Sequence, residues 1–143
     1  MTELNNYPRG IEVTVGPLPI NDNGEVMLCK SSKWPDWGVS GGHVEPGETL
    51  EQAVVREAKE ELGVEVEVLE QLCMEECFMS PPEFKRNSHF IYFTFLVKIK
   101  PSQVVKIDND EIIEYKWAPL KEALSLMGRT YKKPIEILLN RKS

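Results

Sequence analysis

Cysteine is scarce: the 143-residue chain holds Cys29, Cys73 and Cys77, an odd number. That argues against a disulfide framework and for a reducing compartment. Cys73 and Cys77 are spaced C-x3-C and, even with His89 nearby in sequence, lack the spacing and fourth ligand of a zinc site. Long apolar runs are missing too, since no stretch approaches the roughly 18 residues of a membrane span. The opening MTELNNYPRG has no apolar centre of the kind a signal peptide needs. These absences predict a cytoplasmic protein without a membrane partner. Positive charge is also short, with 17 Lys and Arg against 23 Asp and Glu and a net charge of -6. No nucleic-acid partner is expected, because a phosphate backbone calls for a basic surface. A small polyphosphate remains open as a substrate where divalent cations reverse the local sign. Repeats, low-complexity segments and linkers are all absent, so residues 1–143 are expected to form a single domain.

The composition is that of a globular chain, 41% hydrophobic and 28% charged. Residues 11–20 and 25–30 read as strands joined by the turn Asn21-Asp22-Asn23-Gly24, which predicts a hairpin over 11–30. Residues 31–41 read as loop with a short strand at Trp37–Val39. Thr49 with Gln52 forms a capping box, and Gly63 is a stop, so a helix is expected over about 50–62. Val64–Leu69 alternates as a strand does, residues 70–80 are ambiguous, and 80–88 is a loop. His89–Lys100 is the strongest strand, rich in β-branched and aromatic residues. A short strand at Ile112–Trp117 precedes helices at about 120–127 and 134–140. The class is α+β, with helices packed on a mixed sheet.

The central helix carries Glu57, Glu60 and Glu61. Glu57 and Glu61 are one turn apart on one face, and Glu60 is about 60° round from Glu57. Leu50, Ala53 and Val54 share the Glu57/Glu61 face, so these carboxylates point along the side that packs. A like-charge pair at this spacing costs about 0.2–0.5 kcal/mol when exposed, and more when buried. A divalent cation would relieve it, and Mg²⁺ or Mn²⁺ suits carboxylate oxygens. The preceding Gly41, Gly42 and Gly47 allow close backbone approach, although the lysine of a P-loop is missing.

Residues 42–64, GHVEPGETLEQAVVREAKEELGV, fill the pattern G-x5-E-x7-R-E-U-x-E-E-x-G-U with Gly42, Glu48, Arg56, Glu57, Ala58, Glu60, Glu61, Gly63 and Val64. This resembles the Nudix hydrolase box, and the order of elements around it is similar to the Nudix α/β/α sandwich with its central catalytic helix. The resemblance implies an enzyme that hydrolyses the pyrophosphate bond of a nucleoside diphosphate linked to another group. It implies Mg²⁺ (or Mn²⁺) held by Glu57 and Glu61, with Glu60 next and the Gly41 carbonyl beside them. Arg56 stays protonated at neutral pH and cannot be a base, so its place in the catalytic set is to fix Glu48 or a neighbouring glutamate by a charged pair. Gly42, Glu48 and Gly63 are the structural members. Family members place the general base either in the box or on a later loop. Here the run Asp108-Asn109-Asp110-Glu111 offers Glu111, with Glu114 behind it.

Substrate contacts are expected from Trp34 and Trp37 by stacking, from His43 on phosphate and from Phe78 beside the 80–88 loop. Lys85 and Arg86 offer charge for a distal phosphate but read first as solvated loop charges. The small size and the WGVSGGHVEPGE context look like members that convert nucleoside triphosphates to monophosphate and pyrophosphate. An ADP-ribose or nucleotide-sugar pyrophosphatase is the alternative, hinted at by Pro81 and Pro82. A binding module that lost turnover would be expected to lack one of the box glutamates, and all are intact. A homodimer is left open.

Overall fold

The structure is a computed structural model that describes residues 6–32, 36–107, 110–128 and 132–142. Its strands are β1 (Ile11–Pro19), β2 (Val26–Ser31), β3 (Gly42–His43), β4 (Val66–Met79), β5 (Ser88–Ile99) and β6 (Ile112–Ala118). The helices are α1 (Leu50–Leu62), α2 (Leu120–Leu126) and α3 (Lys133–Lys142). Four strands form one mixed sheet in the order β3-β1-β5-β4, in which β1 and β5 run parallel and the other pairs antiparallel. β2 and β6 form a separate antiparallel pair.

The predicted hairpin over 11–30 does not form. The turn itself is present: Gly24 N–H donates to Asn21 O at 3.0 Å, and Asn21 N–H donates to Glu25 O at 3.0 Å. Pairing then stops after one bridge, Ile20 to Val26. Prolines explain why. Ile20 N–H points to Val97 O on β5, whereas Val13 O accepts from Val44 on the other side. Odd-numbered residues of β1 therefore face the edge that β2 would need, and Pro17 and Pro19 have no N–H to give it. β2 takes β6 as its partner instead. The ambiguous stretch 70–80 continues β4, which absorbs two register shifts, between Val68 and Glu70 and between Gln71 and Cys73. The short strand expected at Trp37–Val39 is a single bridge from Gly38 to Cys29.

The buried apolar side chains fall into two clusters. Ala53, Val54, Ala58 and Leu62 of α1 pack with Val15, Met27, Cys29, Phe95 and Val97. Leu18, Val26, Leu28 and Leu96 pack with Leu120, Ala123, Ile135 and Leu138 of the two later helices. β1 feeds the first cluster through Val15 and the second through Leu18, which alternate faces by one half-turn of the pleat plus the strand's twist. Both ends of α1 are fixed as the sequence suggests. Thr49 and Gln52 close the capping box, and Gly63 ends the helix at φ +67°.

An ionic clamp ties the 80–88 loop to β1. Arg86, expected to be solvated, forks onto Glu12 with Nη1–Oε2 at 2.6 Å and Nη2–Oε1 at 2.9 Å, and also bonds Ser88. Its guanidinium lies over Phe84 and Phe90, 5.2 and 5.9 Å from their centroids. His43 Nε2 reaches the same Glu12 at 2.7 Å. Burial pushes the Glu12 carboxyl up, but the bonds and charges of Arg86 and His43 outweigh it and hold the group below its ordinary value.

Two outcomes are expected. Gly63→Ala forces an alanine to φ +67° with its Cβ 3.1 Å from Lys106, and should lower stability by about 1–2 kcal/mol in urea unfolding. The depressed Glu12 pKa contributes stability that is present above the unfolded carboxylate value near 4.3 and is lost as pH falls through the folded value. Arg86→Met leaves Glu12 buried against an apolar side chain and should cost about 3 kcal/mol at pH 7. It should also flatten the acid limb of a melting-temperature profile below the unfolded carboxylate value near 4.3.

Candidate active site

The turn leading into β3 is built for close approach. A Cβ on Gly41 would meet Val15 O at 2.2 Å, and one on Gly42 would meet Glu57 Oε1 at 2.4 Å. Gly42 is glycine because the Glu57 carboxylate lies against its backbone. β3 holds the turn by pairing Thr14 with His43 and Val15 with Gly42.

On α1 the carboxylates divide as the helical geometry predicts. Glu57 and Glu61 are buried, at 5% and 8% exposure, while the Glu60 side chain is 57% exposed. Arg56 organises them. Its Nε donates to Glu48 Oε2 at 2.7 Å and Nη2 to Glu48 Oε1 at 2.9 Å, a two-point fork. Nη1 reaches Glu57 Oε1 at 2.9 Å and Glu60 Oε2 at 3.2 Å, and Nη2 also donates to the His43 carbonyl at 3.0 Å. One guanidinium thus joins three glutamates to β3. Its hydrogen bonds draw the Glu48 carboxyl down to about 2, and Glu48 in turn raises the Arg56 pKa.

Glu57 and Glu61 shift the other way. Burial raises the Glu57 carboxyl, and the charges of Glu60 and Glu111 add to it against the pull of Arg56. Burial likewise raises Glu61, followed by its hydrogen bond to Glu111 and then the charges of Glu111, Glu57 and Glu60. Glu111, from the segment before β6, therefore meets Glu61 carboxyl to carboxyl. Cys29 sits beside this group, its thiol pushed up to about 12 by burial with the Glu61 charge adding, which makes it a poor nucleophile.

The donor chemistry suits a hard divalent cation. Four carboxylates are gathered where they cannot all ionise without compensation, beside a glycine turn that a Cβ would block. Among the described residues no three His, Cys, Asp or Glu side chains already converge as a finished metal site. Arg56 occupies one oxygen of Glu57.

The other candidates lie elsewhere. Trp34 falls outside the described residues, as do Asp108 and Asn109. Trp37 packs against the second apolar cluster, with the Lys30 and Lys116 amines each 5.9 Å from its ring centroid. His43 is bonded to Glu12 and lies 6.2 Å from Phe90. Phe78 is 62% exposed and stacks on His89 at 4.3 Å, toward the far end of β4. Glu114 is exposed on β6 opposite Lys30. Glu12 is a buried partner that no sequence motif marks, and Arg86 is bonded to it and not solvated. The only available signal was a charged residue inside the apolar strand IEVTV.

Comparison with known proteins agrees with this layout. The model of the NUDIX domain matches residues 10–138. A nucleoside triphosphatase NudI from Escherichia coli O17:K52:H18 (strain UMN026 / ExPEC) is 37% identical over 121 residues, covering 72% of this chain and 78% of that one. The crystal structure of a MutT NUDIX hydrolase from Burkholderia pseudomallei superposes with a TM-score of 0.70 at 24% identity, over 94% of this chain and 100% of that one. A UDP-X diphosphatase structure, of which this chain spans 61%, superposes at 0.68 with 19% identity over 90% of this chain, a likeness of fold alone. With its box complete and its elements in the family's order, the chain belongs to the Nudix hydrolases.

Proposed function

We propose that this protein hydrolyses nucleoside triphosphates to nucleoside monophosphate and pyrophosphate with the help of Mg²⁺. The observation that carries the reading is the buried pair Glu57 and Glu61, with Glu57 against Gly42 and Glu61 joined by Glu111. A structural role alone would not crowd these acids together, because like charges in a partly buried site destabilise the fold. The relative named a nucleoside triphosphatase, 37% identical, supports the choice of substrate.

Glu57 and Glu61 would hold the cation, with Glu60 at the exposed side and the Gly41 carbonyl beside them. When bound, it supplies positive charge for the polyphosphate and acidifies the attacking water. Arg56 keeps Glu57 and Glu60 oriented and holds Glu48, which also accepts from Glu45 N–H in the turn at residues 45–48. Glu111 accepts the proton of the attacking water, the role its contact with Glu61 supports. The water oxygen bonds to one phosphorus of the α–β bridge as that phosphorus loses its bond to the bridging oxygen, so that nucleoside monophosphate and pyrophosphate separate.

That Cys29, Cys73 and Cys77 form no disulfide supports a cytoplasmic, reducing location; no helix of the described residues is long and apolar enough to cross a membrane. Exposed Ile11, Met74 and Phe78 share one face of the larger sheet and would give a homodimer an apolar surface to bury.

The test is product identification by chromatography with Mg²⁺ across nucleoside triphosphates, ADP-ribose and nucleotide sugars. Monophosphate plus pyrophosphate from triphosphates is the expected outcome; cleavage of ADP-ribose with triphosphates spared would refute the reading. Glu61→Gln should lower kcat by at least about 100-fold, and unchanged turnover would remove Glu61 from the ligand set. Arg56→Lys keeps the charge but loses the fork to Glu48, and should cost about 10–100-fold in apparent Mg²⁺ affinity by titration of activity.

A further inference from the structure

Beyond Leu18 and Leu96, the face of the larger sheet turned away from α1 becomes polar where an apolar core would be expected. Register places Gly16, Thr94 and Cys73 in one row across it, and Thr14, Tyr92 and Glu75 in the next. Tyr92 Oη donates to the Ser40 carbonyl at 3.2 Å. A Cβ on Gly16 would meet that hydroxyl at 1.9 Å, so glycine is what lets the ring lie there. Around Tyr92 are three buried oxygens without a hydrogen-bond partner: Glu75 Oε1, Thr94 Oγ1 and Ser40 Oγ. The polar companions of the two hydroxyls are Cys73 and the Tyr92 hydroxyl for Thr94 and Cys29 for Ser40, and the thiols are weak partners at best. Lys133 of α3 is near Glu75, yet its amine donates to the Met74 carbonyl at 3.2 Å.

Buried polar atoms are nearly always satisfied, and a cluster that is not expects a ligand or ordered water. This one offers mainly acceptors beside an aromatic ring. It also adjoins the hydrolytic group, since Ser40 leads directly into Gly41 and Gly42, against which Glu57 lies. A planar ring with N–H donors on its edge answers both features.

We infer that Glu75 is the specificity-determining residue that reads the nucleobase, accepting a hydrogen bond from a ring N–H as the base lies against Tyr92. The inference rests on the triphosphatase reading given above. It selects guanine, thymine and uracil, which carry a ring N–H on their pairing edge. Adenine and cytosine present a lone pair at the corresponding atom and would face the carboxylate oxygen with it. Burial raises the Glu75 carboxyl, with Lys133 opposing and Glu136 adding, as suits an acid whose partner arrives with the substrate.

The experiment compares kcat/KM for GTP, TTP, UTP, ATP and CTP between the natural protein and Glu75→Gln. Calorimetric binding of the matching nucleoside monophosphates, without metal, runs alongside. The natural protein should favour the ring N–H bases by about 10-fold or more. Glu75→Gln, whose amide can both donate and accept, should flatten that ranking by a similar factor in turnover and in monophosphate binding. Glu75→Leu, which keeps the bulk, should weaken binding of the ring N–H bases most and serves if the glutamine variant is unstable. An unchanged ranking in folded variants, an equal change for all bases, or a natural preference for adenine or cytosine would overturn the assignment. If no triphosphate is hydrolysed at all, the triphosphatase reading fails, and the monophosphate binding series still decides the role of Glu75.

Discussion

The guanidinium of Arg56 is the tie on which the rest of the site depends. It is the point where β3, the turn at Glu45–Glu48 and the exposed and buried carboxylates of α1 are all joined. An ammonium could neutralise the same charge, but it lacks the planar fork that grips both oxygens of Glu48 while a separate nitrogen reaches Glu57. The geometry also explains why Arg56 precedes Glu57 directly. Adjacent residues on a helix point about 100° apart, so Arg56 projects to the rim while Glu57 turns inward, and the long arginine stem folds back over the boundary. Glu48 supplies a counter-anchor that keeps the arginine from collapsing wholly onto Glu57.

That arrangement sets burial against charge. Ala53, Val54, Ala58 and Leu62 draw α1 into the first apolar cluster, and the same face carries Glu57 and Glu61 into low dielectric. Small residues at 53 and 58 bring the helix close, and Gly42 removes the last side chain between the helix and β3. The apolar contacts that position the carboxylates are thus also what raises their proton affinity. Stability and readiness for a cation are coupled through one packing interface.

Much of this was legible in the sequence. The capping box, the Gly63 stop and the angular separation of Glu57, Glu60 and Glu61 are local properties of a helix, and α1 follows them closely. The strands were harder because their partners are not local. A turn signal at 21–24 says that the chain reverses there, and says nothing of whether Pro17 and Pro19 leave β2 a ladder to join. Glu12 shows a second limit. In IEVTV the alternation places isoleucine and valine on one face, which sequence reasoning takes as inward; here Ile11 is 65% exposed and Glu12 is buried. The inversion arises because α1 covers only part of the sheet, leaving the Ile11 end uncovered, while Arg86 arrives from 74 residues away to neutralise Glu12. No window of the sequence contains both.

The two acidic groups respond to protons in opposite senses, and this shapes the protein's behaviour without a cation. Glu12 stabilises the fold only while ionised, because Arg86 and His43 need its charge. Glu57 and Glu61 have folded pKa values above their unfolded ones, so their contribution is fully present at low pH and is lost as pH rises through the folded values. Cation binding requires their ionised forms, and therefore releases protons and offsets the loss that ionisation causes. Stabilisation by a divalent cation should accordingly grow from pH 6 to pH 8. A site selected only for stability would replace one of these acids with an uncharged side chain. Its retention beside a glycine that no larger residue could replace is the mark of a fold that keeps its electrostatic strain for the ligand to relieve.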